Sequence, residues 1–127
     1  MGPMNWLAVI LAGSVGAGMA HVWYEILFRA RPVFPDAKAG RVMLAMAVML
    51  LAATIMGHNF FRLGEATLDA KPWLYWMMSG GFALWFVAPA LVLSLSRHGV
   101  GWRERIAEGL FWLATYLMMG TVFWLLG

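Results

Sequence analysis

His21 and Glu25 stand four residues apart, so on one helix they share a face, with Tyr24 beside them and Arg29 one turn further on. An imidazole and a carboxylate in that register are ligands that zinc accepts. A second polar group, Arg97, His98, Arg103, Glu104, Arg105 and Glu108, offers another histidine and further carboxylates. Yet His-x-x-x-Glu is common on helices and does not by itself specify a metal, and arginines interleaved with acids can answer them directly. The expectation is therefore a salt-bridge network that fixes helix ends. Its members are His21, Glu25, Arg29, Arg97, His98, Arg105 and Glu108, with no metal and no cofactor.

Other chemistries fare worse. His58 falls toward the far end of its helix from His21 and His98, which argues against one site using all three histidines or a haem held by two. Met43, Met46 and Met49, with Met56 beyond, carry thioethers that can bind copper(I), but steps of three drift around the helix, and adaptable packing is the better reading. Ser79, Ser94, Ser96 and Thr54 have no general base beside them at the same depth. The chain has no cysteine, which removes thiol chemistry and thiolate metal sites. No catalytic set emerges.

The elements that must position these residues are set by charge. All fifteen Asp, Glu, Lys and Arg side chains fall in three clusters, Glu25 to Arg41, Arg62 to Lys71 and Arg97 to Glu108. Between them lie four uncharged stretches, each close to the roughly 20 apolar residues that one helical crossing of a bilayer requires. The fold expected is an all-α bundle of four transmembrane helices spanning about 4–24, 42–62, 73–96 and 107–126, forming a single domain. The first span begins without the basic residues of a signal peptide, so it is expected to be retained. A charged fraction of 12% lies far below the soluble average of about 25%. The excess of basic residues sits at helix ends, so membrane topology explains it without a nucleic-acid partner.

Basic residues near span ends mark the cytoplasmic side. Arg29, Arg31, Lys38, Arg41, Arg97, Arg103 and Arg105 occupy the first and third connections, against Arg62 and Lys71 in the second. Both termini are thus expected outside. Pro32 and Pro35 keep the first connection extended, Pro72 opens the third helix, and His98-Gly99-Val100-Gly101 precedes a short interfacial lead-in from Trp102 to Glu108. Trp6, Trp23, Trp73, Trp76, Trp102 and Trp124 fall at predicted interfaces as anchors, while Trp85 and Trp112 lie deeper.

Ala8, Ala12, Gly16 and Ala20 recur every fourth residue and give the first helix a face almost without side chains, widened by Gly13 and Ala17. Such faces allow close backbone approach, which makes this helix the expected centre of the bundle or a dimer seam. The third helix carries Gly80 and Gly81 and then Pro89, which cannot donate to the Trp85 carbonyl, so a kink is expected there.

Several strings then match a known pattern. Asn5-Trp6-Leu7-Ala8-Val9 opens the first helix, Trp23-Tyr24 closes it, Phe86-Val87-Ala88-Pro89 lies in the third, and Tyr116, Met119-Gly120 and Trp124 follow in the fourth. In that order the chain resembles the bacterial family called domain of unknown function 1761, small four-helix membrane proteins. It departs where members tend to have proline soon after the Trp-Tyr pair, here Glu25-Ile26-Leu27, and glycine before Phe-Val-Ala-Pro, here Trp85. The resemblance implies a bacterial inner-membrane location and brings no activity with it.

The function expected from the residues is that of a non-enzymatic structural or accessory membrane subunit. Its partners would be lipids, a larger membrane complex or further copies of itself. The competing reading is a small homodimeric transporter or channel for a hydrophobic or cationic solute. The missing carboxylate or base at span centres counts against active transport. A third reading is lipid or pigment binding on the aromatic exterior.

Overall fold

A computed structural model of the chain describes residues 4–23 and 37–127. Helix α1 (Trp6–His21) starts where Asn5 accepts the Ala8 N–H on its side-chain oxygen at 3.1 Å, satisfying a first-turn amide that lipid could not. Asn5 also donates from Nδ2 to the Leu126 carbonyl at 3.0 Å. That bond ties the start of α1 to the end of the last helix, so these two points share one end of the bundle. Helix α2 runs Lys38–Leu63 and turns at Gly64, whose φ of 87° suits glycine, into the short α3 (Glu65–Ala70). The third long helix is α4 (Leu74–Phe82), a π-helical stretch Ala83–Val87, and α5 (Ala88–Arg97); α6 (Trp102–Leu126) completes the chain.

Three of these helices, Lys38–Leu63, Leu74–Arg97 and Trp102–Leu126, are long and apolar enough to cross a membrane. α1 is apolar but shorter: 16 residues at 1.5 Å each give about 24 Å, against a hydrocarbon core of about 30 Å. Two boundaries differ from the sequence reading. The lead-in from Trp102 is continuous with the last helix, because Glu108-Gly109 sits inside an unbroken run of helical bonds. The second connection also holds α3, where Glu65 in the first turn complements the helix dipole.

α1 and α6 form the centre. α1 packs on α2 and on α6, while the third long helix packs on α6 and also meets α2, where the Phe60 and Tyr75 rings lie 4.9 Å apart. The order in space is therefore second, first, fourth, third. Lipid tails are as apolar as leucine, so these contacts depend on close packing rather than on escape from water. The buried face of α1 is Ala8, Val9, Ala12, Gly13, Gly16 and Ala17. A β-carbon on Gly13 would stand 2.6 Å from Leu50 Cδ2, and one on Gly16 would stand 3.0 Å from the Met49 sulfur. The third long helix meets α6 in the same way at Gly120, where a β-carbon would reach the Tyr75 carbonyl oxygen at 2.9 Å and strike Ser79.

Most hydroxyls in the long helices are occupied locally. Ser14, Thr54, Ser79, Ser96 and Thr121 each donate to the carbonyl four residues back, at 2.5–2.9 Å. Thr115 differs: it is fully buried in α6 and its Oγ1 has no hydrogen-bond partner. At Pro89 the expected irregularity takes the form of the π-helical turn just before it. There the Ala88 N–H pairs with the Ala83 carbonyl five residues back, so the ladder shifts by one residue before reaching the proline.

Candidate functional site

The end of the bundle that holds the last turn of α1 and the first turn of α2 carries a groove of about 460 Å³. Small residues leave it open. Ser14, Ala17 and Gly18 line it from α1 and Ala45 from α2, with Met49, Phe111 and Trp112 among the larger walls. His21 and Arg41, both half-buried, are its charged or titratable lining residues. Phe111 and Trp112 stack edge to face at 5.3 Å, and Trp23 tilts onto Phe111 at 5.5 Å, so an aromatic cluster stiffens one side.

Of the proposed polar cluster, Glu25 and Arg29 lie outside the described residues. Arg97 and His98 are exposed at the end of α5. His98 leads into a Schellman turn: the Gly99 N–H bonds the Ser96 carbonyl, the Val100 N–H bonds the Leu95 carbonyl at 3.0 Å, and Gly99 has a φ of 69°. Arg105 clamps this turn from the next helix. Its Nε donates to the Val100 carbonyl at 2.7 Å while its guanidinium lies 4.5 Å over the Trp102 ring. Arg105 thus acts on the backbone of the third connection, and His98 is not among the groove's lining residues. Glu108 is half-buried one turn further along α6. Among the described residues, no three His, Asp or Glu side chains gather in a way that could hold a metal ion. Met43 is 71% exposed while Met49 and Met56 face the core, so the methionines point apart as their spacing implies.

The packing residues divide. Ala8 and Ala12 are fully buried and Gly16 is buried against Met49, whereas Ala20 is half-buried and lines the groove. Gly80 faces Leu117 of α6, Gly81 is half-buried near its own helix's Trp85, and Pro89 is exposed. Among the tryptophans, Trp6, Trp73, Trp102 and Trp124 are exposed. Trp23 and Trp76 are half-buried, and Trp76 donates from Nε1 to Thr121 Oγ1 at 2.9 Å with its ring 5.3 Å from Trp124. Trp85 faces outward at the π-helical turn, and Trp112 packs on Tyr116.

Sequence reasoning missed the contact of Ser79 with Gly120, Gly57 opposite Val9, and the Asn5–Leu126 tie. A signal existed for the first: Ser79-Gly80 is small on one helix, and Gly120 breaks a run of large residues on another. No protein-family model, curated protein or solved structure matches the chain.

Proposed function

We propose that this protein crosses the bacterial inner membrane four times, with both termini outside, and serves as a non-enzymatic accessory subunit acting through helix–helix and lipid contacts. The observation that carries the reading is a filled interior. Phe111, Met56, Met119 and Val9 are at most 2% exposed where the helices meet, and among the described residues no charged side chain is buried. Such a core holds helices together, and among the described residues no polar passage runs between them, which favours contact over transport as the role.

The orientation rests on the basic first and third connections, and the four-span count on α1 crossing together with Val22 and Trp23, which continue it as a π-helical turn. The resemblance to domain of unknown function 1761 belongs to the same proposal, carried by the short strings at Asn5–Val9 and Phe86–Pro89. Blue-native electrophoresis of gently solubilised membranes tests the role. A discrete complex larger than the 14.2 kDa chain is the expected result, and migration solely as a free monomer with no co-purifying protein would contradict it.

A further inference from the structure

A second groove lies halfway along the bundle, between α2 and the third long helix. These helices meet near the Asn5 end, through the rings of Phe60 and Tyr75. Further along they leave a recess of about 410 Å³, floored by Ala52, Met56 and Tyr116 and walled by Phe82, Phe86 and Val87 at the π-helical stretch. Every lining side chain is apolar except for the Tyr116 hydroxyl. Tyr116 is only 9% exposed, and its hydroxyl makes no hydrogen bond among the described residues. Thr115 Oγ1 is the one sealed side-chain oxygen without a partner there, so the Tyr116 oxygen keeps an opening to its surroundings. On α6, Tyr116 stands eight residues after Glu108 and ten before Leu126, about 12 and 15 Å at 1.5 Å each. In a spanning helix that is mid-depth. A donor there has no water to bond, and the polar ends of ordinary lipids lie outside the hydrocarbon core of about 30 Å.

We propose that this groove binds a lipid-soluble quinone, with a ring carbonyl accepting from the Tyr116 O–H and the ring lying against Phe82 and Phe86. The inference rests on these helices spanning a bilayer. The site asks for an occupant that dissolves in hydrocarbon, carries no charge and holds an acceptor at mid-depth. An acyl chain brings no acceptor there, and the backbone carbonyls of a second helix are spent within that helix. A quinone brings a carbonyl on a flat ring. The Phe82 and Phe86 rings, 6.2 Å apart and tilted by 39°, offer it apolar faces. Leu51 and Ile55, exposed at the rim, give its tail an apolar path to the lipid. Apolar walls with a single placed polar group, in a volume within the roughly 300–1,000 Å³ range, are the usual make-up of a small-molecule site.

The test is native mass spectrometry of the full chain released from nanodiscs doped with equal amounts of decylubiquinone and dodecylbenzene, a ring-and-tail control without carbonyls. One decylubiquinone retained in preference is expected. Tyr116→Phe should lower that retention about fivefold, the loss of one neutral hydrogen bond. Without quinone, its unfolding midpoint in SDS should match the wild type's, because the hydroxyl bonds nothing in the protein. Ala52→Leu from the floor and Ile55→Trp from the exposed rim fill the groove, and each should abolish retention of both probes. Leu93→Ala, on α5 and outside the groove, should change nothing. Equal retention of the two probes, or quinone retention that Tyr116→Phe leaves unaltered, overturns the proposal. So does a dimer of the chain that Ile55→Trp releases, which would make a second copy the occupant. Alkaline carbonate extraction separates the two levels. Wild-type protein that leaves the membrane sinks the spanning reading, whereas protein that stays and retains no quinone sinks this inference alone.

Discussion

Two glycines of identical type should respond in opposite ways to the same methyl group. Gly120 lies where α6 meets the third long helix, and a β-carbon there would stand 2.9 Å from the Tyr75 carbonyl oxygen and strike Ser79 as well. The carbonyl belongs to a helix backbone and cannot swing aside, so the two helices must separate. Gly18 lies on α1 where a β-carbon meets nothing within 4 Å. Both substitutions remove a helix-interior glycine, so the propensity gain of about 1 kcal/mol is common to both and cancels in the comparison. What remains is overpacking, about 1–3 kcal/mol. Gly120→Ala is therefore expected to be less stable than Gly18→Ala by that amount. Unfolding by increasing mole fraction of SDS in mixed micelles reads the difference, followed by tryptophan fluorescence, to which the Trp76–Trp124 pair at the same interface contributes. Equal midpoints for the two variants would refute the close approach at Gly120.

Asn5→Ala loses both the cap on Ala8 and the tie to Leu126, and should cost about 1 kcal/mol or somewhat more, seen as faster hydrogen exchange at the start of α1 and the end of α6. Trp76→Phe and Thr121→Val each break the Nε1–Oγ1 bond, worth about 0.6 kcal/mol between membrane helices; the double variant should cost less than the sum of the singles in the same SDS titration. Thr115→Val replaces a buried hydroxyl that makes no hydrogen bond with a methyl of the same shape, so its unfolding midpoint should match or exceed that of the wild type.

What the sequence made legible followed from spacing and from charge. Uncharged stretches bounded by clustered charges mark out three long apolar helices, because a buried charge is too costly to sit between them, although the last begins at Trp102, inside a charge cluster, rather than near 107. The small residues at Ala8, Ala12 and Gly16 identify a close-packing face for the same reason in reverse, since only small side chains let backbones approach. Partner choice was less accessible. That α6 shares the centre with α1 depends on Gly120 meeting Ser79, a pairing between helices for which a single sequence carries no register. The groove between α1 and α2 was equally hidden, as Ala17, Gly18 and Ala45 read as packing residues whether the neighbouring helix closes over them or diverges. Arg105 was placed in the polar cluster by its charge, whereas its place depends on the backbone turn at Gly99–Val100, which brings the Val100 carbonyl within its reach.

The four-span, termini-outside arrangement underlies the proposed role, and the absence of native cysteine makes it directly measurable. Single cysteines at Ala39, Ala66 and Gly101, two exposed helix positions and an exposed turn, can be probed with a membrane-impermeant maleimide in spheroplasts. Ala66→Cys should label in intact spheroplasts, and Ala39→Cys and Gly101→Cys only after permeabilisation. Labelling of Ala39→Cys or Gly101→Cys from outside, or protection of Ala66→Cys, would contradict the arrangement.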